Sequence, residues 1–286
     1  MMHPAYTITL PGVRSTSVLF DSPHSGKDYP AAFLRGAMLD ETMIRSSEDA
    51  FVDLLFGSAP DAGAPLLCAR TPRAFVDLNR SAEELDPALI EGVRHLPHNP
   101  RVTSGLGVIP RVVSNGRVIS RGKIPLGEAR ARLDGHWHPY HAALNALVAE
   151  QVALFGEAIL IDCHSMPHEA IEGHFSGRGP RPDVILGDRF GASAGAEIMD
   201  GVEAAFGRAG LRVARNAPFA GAYITQHYGR PSRRQHVIQV EIDRALYMNE
   251  RTVAPNAGFA PLRQMLARVV EEIAMIGRKE MPLAAE

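Results

Sequence analysis

Short apolar runs bounded by Gly, Pro or polar residues recur along the chain and read as strands at residues 17–21, 65–69, 74–78, 158–162, 183–186, 211–215 and 237–242. Between them apolar positions return at helical spacing, most clearly over residues 40–56, 126–154, 192–209 and 259–276, with Pro139 expected to interrupt the second. Strands alternating with helices predict an α/β layered sheet with right-handed crossovers, without fixing strand order or direction. The stretch 96–123 is rich in Pro, Gly and Arg and lacks helical period, which predicts a long loop or hairpin over the site. No internal repeat is visible. With 286 residues, 45% of them hydrophobic, one large core over residues 1–286 is the expected organisation.

Composition then narrows the partner. A formal net charge of -2 gives no reason to expect nucleic acid or an anionic membrane as ligand, so a small molecule is the natural expectation. Only Cys68 and Cys163 occur, both inside apolar runs, which argues against a disulfide framework and for a reducing compartment. No apolar run approaches the roughly 18 to 20 residues of a membrane span, and the N-terminus lacks a basic-then-apolar signal. A cytoplasmic protein is therefore expected.

Three of the strands share one design. Val18-Leu-Phe-Asp-Ser-Pro-His24-Ser-Gly26 and Ala158-Ile-Leu-Ile-Asp-Cys-His164-Ser each run an apolar strand into a histidine at its C-terminal end, and Val237-Ile-Gln-Val-Glu241-Ile alternates so as to aim one carboxylate out of a buried strand. In open α/β sheets that edge is where ligands bind. A lone histidine there is more often a hydrogen-bonded turn residue, but two in matched contexts beside a carboxylate make the skeleton of a metallohydrolase. A third ligand is then expected from a carboxylate, with Glu48 and Asp49 as candidates, although acids are also favoured in a first helical turn by the macrodipole. Arg73 before, and Asn79 and Arg80 after, the run 74–78 suit an acidic substrate with a scissile carbonyl, because guanidinium groups grip carboxylates and stabilise a developing oxyanion.

Ser22-Pro-His-Ser-Gly26, Asp77-Leu-Asn-Arg80, Asp162-Cys-His-Ser165 and Gln239-Val-Glu-Ile242 followed by Tyr247 resemble, in order, the signature blocks of the N-formylglutamate amidohydrolases. Further matches are Gly105-Leu-Gly-Val-Ile-Pro-Arg111, Pro139-Tyr-His141, Leu186-Gly-Asp-Arg-Phe-Gly191 and Pro218-Phe-Ala-Gly-Ala-Tyr223, so the resemblance runs from about residue 15 to 250. Any one block is weak; the ordered set is specific. The resemblance implies one domain with a mixed β-sheet flanked by helices, similar to the zinc carboxypeptidases and aspartoacylases (phosphorylase/hydrolase-like). It implies Zn2+ held by His24, an acid and His164, Glu241 as general base and proton shuttle, and Arg73 on the carbonyl. It further implies Asn79 and Arg80 on a substrate carboxylate, with Arg111 and Tyr223 also at the substrate. Carboxypeptidases place the acidic ligand three residues after the first histidine, and here that position is Lys27. The family pattern of an aspartate followed by an aromatic or small residue and then Val-Asp favours Asp49 over Glu48. The implied activity is hydrolysis of N-formyl-L-glutamate, or a similar N-acyl acidic amino acid, to formate and L-glutamate, as in histidine degradation.

Rival readings rest on particular residues. Gly191-Ala-Ser-Ala-Gly195 formally matches a nucleophile elbow, which would make a serine hydrolase with Ser193 as nucleophile and His227 or His236 as base. Gly-Asp-Arg-Phe separates it from its strand, so a helix N-terminus is the better expectation. His136, His138 and His141 cluster around Trp137 without an accompanying carboxylate or cysteine at ligand spacing, which favours packing over a second metal site. A catalytically silent sensor of an acidic metabolite is the rival from another class; metal content together with turnover separates it from the enzyme.

Overall fold

The structure, a computed structural model, describes residues 4–94, 99–113, 116–175 and 181–278. Seven strands form one mixed sheet: β1 Tyr6–Thr9, β2 Val18–Ser22, β3 Leu66–Ala69, β4 Ala158–Met166, β5 Val184–Gly187, β6 Val213–Arg215 and β7 Gln235–Asp243, in the spatial order β1-β3-β2-β4-β7-β5-β6. The central strands β3, β2, β4 and β7 run parallel, whereas β1 is antiparallel to β3 and β5 antiparallel to β7. β4 is buried along its whole length, as expected for a central strand covered on both faces.

Alternation along these strands builds two cores and one site. On one face Ile159, Ile161 and Cys163 of β4 and Ile238, Val240 and Ile242 of β7 pack beneath the helices Ala196–Arg208 and Phe259–Ile276. On the other, Leu19, Leu160 and Val237 lie under the helix His138–Phe155. Farther along each strand this second face turns polar, as Asp21, then Asp162 and His164, then Gln239 and Glu241. The apolar half anchors the strands, and the polar half leads to a cavity that His164, Gln239 and Glu241 line. Register does the rest, since Asp21 pairs with Asp162, Asp162 with Gln239, and His164 with Glu241.

Several expectations need correction. The run 74–78 is no strand: it is a buried turn, in which Phe75 and Val76 donate to the Pro72 carbonyl and Asp77 to the Val108 carbonyl. The single helix expected over 40–56 is a 3-10 turn at Met43–Ser47, an extended residue Glu48 with ψ 142, and a separate helical turn at Val52–Leu55 entered through Phe51 at φ 69. Side-chain and backbone bonds to Asp49 outweigh helical period there. The helix across Pro139 does not break; the turn before it, Leu133–Trp137, widens to π geometry, which accommodates the donor that proline lacks. β1 was not expected, being short and mostly exposed. In the stretch 96–123, residues 96–98 and 114–115 lie outside the described residues, and the remainder holds a short helix Pro100–Thr103 capped by Asn99 and a bridge between Val112 and Val118.

One glycine is dictated by packing beside the site. A Cβ on Gly26 would lie 2.6 Å from the Arg70 carbonyl carbon and press into the Thr71 carbonyl, so no larger residue fits two places after His24. Among the described residues no helix is long and apolar enough to cross a membrane.

Candidate active site

Where β2, β4 and β7 end, His24, Asp49 and His164 converge, and their ligand-capable atoms lie within 4.8 Å of one another. All three are buried, at 2%, 1% and 2% exposure, which is unusual for polar groups unless something compensates them. His164 Nδ1 lies 2.9 Å and His24 Nδ1 3.5 Å from the same oxygen, Asp49 Oδ2. Behind each ring stands a second carboxylate: His24 Nε2 is 2.8 Å from Asp77 Oδ1 and His164 Nε2 2.7 Å from Asp162 Oδ1. A carboxylate on Nε2 fixes the tautomer and turns the Nδ1 lone pair of each ring inward. His24 Nδ1, though buried, has no hydrogen-bond partner.

These donors fit a divalent metal. Two imidazole nitrogens and one carboxylate oxygen are the ligand set of an open catalytic zinc-type site, and metal bonds of about 2.1 Å imply donor separations of about 3.4 Å, against 2.9 and 3.5 Å from Asp49 Oδ2 to the two rings. Electrostatics point the same way. Burial opposes ionisation of Asp49, yet the His164 and His24 rings beside it and the charge of Arg244 hold it well below the usual aspartate range. Burial likewise opposes the charged form of His164, but Asp162 and Asp49 raise it well above the ordinary histidine value. The carboxylates thus call for positive charge at this point, and a metal would supply it in place of a proton.

Glu241 stands beside His164 in register, in the wall of the same cavity of about 440 Å³. Gln239 Nε2 donates to its Oε1 at 2.9 Å, while Gln239 Oε1 accepts from the Ala222 amide, so one carboxylate oxygen is tethered. Burial pushes Glu241 up to about 7, with Asp49 and Asp162 adding to the rise and His164 and Arg73 opposing it. Four arginines line the cavity, Arg73, Arg80, Arg101 and Arg244, against three carboxylates, Asp49, Asp77 and Glu241. With a bound cation, that balance suits an anionic ligand.

The remaining expected residues divide. Arg73 lines the cavity with Nε 3.0 Å from Asp77 Oδ2. Arg80 is 8% exposed and donates from Nε to the Leu106 carbonyl and from Nη1 to the Asn79 carbonyl. Asn79 lines the cavity too, but its amide is already engaged: Oδ1 accepts from the Ile224 amide and Nδ2 lies 3.3 Å from Asp162 Oδ2 and 3.0 Å from His164 Nε2. Arg111 and Tyr223 do not line the cavity. Arg111 is tied to Asp86 at 2.9 Å, and Tyr223 packs on Trp137 and His141 with its hydroxyl at His227. Glu48, the alternative ligand, is spent on Arg45 and Tyr29. Ser193 donates to the Val237 carbonyl and also lies outside the cavity, while His236 accepts from the Gly195 amide, so no serine triad forms. His141 is held between Tyr228 and the Leu78 carbonyl, and burial lowers it to about 3, a neutral packing histidine.

Sequence reasoning missed the supporting roles of Asp77 and Asp162, and Arg101 and Arg244 altogether. Asp162 was legible in principle: in a strand ending Asp-Cys-His, residues 162 and 164 share a face. Arg244 and Asp77 reach the site only through turns whose geometry no periodicity encodes.

A mixed sheet that gathers two histidines, a ring of carboxylates and four arginines at the ends of its parallel strands defines an α/β enzyme with a candidate metal site. The family model described as N-formylglutamate amidohydrolase matches residues 16–248, and the chain belongs to that family. It is 32% identical over 259 residues to an N-formylglutamate deformylase of Pseudomonas aeruginosa, covering 90% of each chain, and 31% identical to one of Pseudomonas putida, covering 82% of each. The crystal structure of N-formylglutamate amidohydrolase from Ralstonia eutropha JMP134 is similar across 96% of this chain and 99% of that one, with a TM-score of 0.89 and 36% identity. The chain is thus an enzyme of a family that cleaves amide bonds.

The geometry sets an expectation for metal content. Equilibrium dialysis should find about one equivalent of divalent transition metal, lost in the His24→Ala and His164→Ala variants. Asp77→Asn and Asp162→Asn should weaken it by about 10 to 100-fold, the usual cost of losing the carboxylate behind a histidine ligand. Full metal retention in both alanine variants would place the metal elsewhere.

Proposed function

We propose that the protein is a zinc-dependent N-formylglutamate deformylase, hydrolysing N-formyl-L-glutamate, or a closely similar N-acyl acidic amino acid, to formate and L-glutamate. The observation that carries this reading is the convergence of His24, Asp49 and His164 beside Glu241 in a cavity lined by four arginines. The relatives named for this reaction support it. Two free thiols, Cys68 and Cys163, agree with a cytoplasmic setting.

Zinc, held by His24, Asp49 and His164, would supply a Lewis acid that makes water nucleophilic near neutral pH and polarises the formyl carbonyl. Glu241 accepts the proton of the attacking water on a carboxylate whose elevated pKa matches that task, then delivers it to the departing amine of glutamate. Arg73, fixed by Asp77, offers its remaining donors to the oxyanion as charge develops. Arg80, whose Nε and Nη1 are engaged by carbonyls, keeps Nη2 for a substrate carboxylate. Asn79 acts differently from a direct clamp: its Nδ2 donates to Asp162, the carboxylate behind His164, and its Oδ1 accepts from the Ile224 amide, so it holds that carboxylate and the 222–224 segment in place. Arg101, which has no ion pair among the described residues, supplies a further positive charge at the mouth for a second carboxylate.

Kinetics on a charged and a neutral substrate test the carboxylate clamp. Arg80→Ala should lower kcat/KM for N-formylglutamate by about 1.5 to 3 kcal/mol, the range for a hydrogen bond to a charged group, and leave a neutral formamide almost unaffected. Equal losses on both would remove Arg80 from substrate recognition.

The pH profile tests the base. Activity requires the Glu241 carboxylate, so kcat/KM should fall as pH drops through a value at or below about 7, since a bound cation favours the charged form. Arg73 favours that same form, so Arg73→Gln should move the acid limb to higher pH. Glu241→Gln should keep its metal yet lose about 10²- to 10⁴-fold in kcat. A Glu241→Gln enzyme with wild-type turnover and an unchanged acid limb would exclude Glu241 as the base.

A further inference from the structure

Arg244 is 4% exposed, and its guanidinium makes bonds to three residues of the site. Nη2 donates to Asp49 Oδ1 at 2.8 Å, Nη1 to the Ser46 carbonyl at 3.1 Å, and Nε to Ser165 Oγ at 3.2 Å. Ser165 follows His164 in β4 and also accepts from the Tyr247 hydroxyl at 2.8 Å. Glu250 Oε2 stands 3.8 Å from Nη1. One planar fork therefore joins the loop that carries Asp49, the strand that carries His164 and the turn that follows Glu241.

The two oxygens of Asp49 are thereby divided. Oδ1 is occupied by Arg244, while Oδ2 faces Nδ1 of both histidines. A carboxylate left free at both oxygens can swing to grip a metal with two, raising its coordination number. A carboxylate pinned by a guanidinium cannot, because rotation would break a charge-assisted bond in a buried place. Lysine would not replace it, since a single ammonium on a flexible stem cannot reach Asp49, Ser46 and Ser165 in the fixed fork geometry.

We propose that Arg244 is a positioning residue that keeps Asp49 a one-oxygen ligand and so holds the centre at the low coordination number of a catalytic zinc site. This rests on the reading that His24, Asp49 and His164 bind a metal. The test is cobalt substitution of the full-length wild-type, Arg244→Met and Arg244→Lys proteins, read by d–d absorption, with zinc affinity measured by chelator competition. Circular dichroism of the metal-free proteins controls for folding. Wild type should show the intense band of four-coordinate cobalt. In Arg244→Met the band should weaken to that of a five- or six-coordinate ion and zinc should bind about 10 to 100-fold more weakly, as for other groups that support metal ligands. Arg244→Lys should show the same spectral change with a smaller loss of affinity. A folded Arg244→Met with the wild-type spectrum would overturn the assignment, even if its affinity fell, because a merely structural arginine predicts that pattern. If Arg244→Met does not fold, Arg244→Lys decides on the same spectral criterion. Failure of the wild-type protein to bind either metal would overturn the metal reading and this inference with it, whereas normal wild-type binding with unchanged variants would overturn this inference alone.

Discussion

The buried carboxylate of Asp49 is the interaction on which the cavity depends. Its Oδ2 draws together two imidazoles from the ends of β2 and β4, and its Oδ1 is held by an arginine from the turn after β7. A charge this deep is costly unless paired. The chain meets that cost by bending: the loop leaves helical geometry at Glu48, passes through a left-handed residue at Phe51, and ties the Asp49 amide to the His24 carbonyl. Distortion of the backbone and neutralisation of the carboxylate are two sides of one arrangement.

Around that carboxylate the charges alternate outward. Asp49 faces His24 and His164, these lean on Asp77 and Asp162, and Asp77 in turn is held by Arg73. Burial opposes the ionised form of Asp77, but Arg73, His24 and Arg80 keep it well below the ordinary aspartate range. Removing one member leaves a buried charge without its partner, so the network is expected to respond as a unit rather than residue by residue. The same layering separates tasks. Carboxylates behind the histidines orient them, whereas Glu241, tethered by Gln239 at one oxygen, is pushed up to a value suited to taking and giving a proton near neutrality.

The sheet was legible in the sequence because burial on both faces leaves apolar runs with few alternatives: β2, β4, β5 and β7 fall within a few residues of expectation. His24, His164 and Glu241 were legible for the same reason, as polar residues that break an apolar strand at one end. Asp49 needed the family pattern, since a first-turn aspartate is common without a ligand role. The strand expected at 74–78 failed because its apolar residues are buried by a turn rather than by pairing. Arg111 and Tyr223 belong to matching blocks, yet one is neutralised by Asp86 and the other packs on Trp137, with Pro110, Val112 and Ala222 beside them lining the cavity instead. Arg244 escaped because its partners Ser46, Asp49 and Ser165 lie far away along the chain, and only the folded register brings them to one guanidinium.

A crystal of the zinc-soaked protein, with anomalous scattering recorded on both sides of the zinc edge, tests the arrangement around Asp49 most directly. A single strong peak is expected about 2.0 to 2.2 Å from His24 Nδ1, Asp49 Oδ2 and His164 Nδ1, with Asp49 Oδ1 still on Arg244. A peak bound instead through the Nε2 atoms, among His136, His138 and His141, or nowhere in the protein would contradict it.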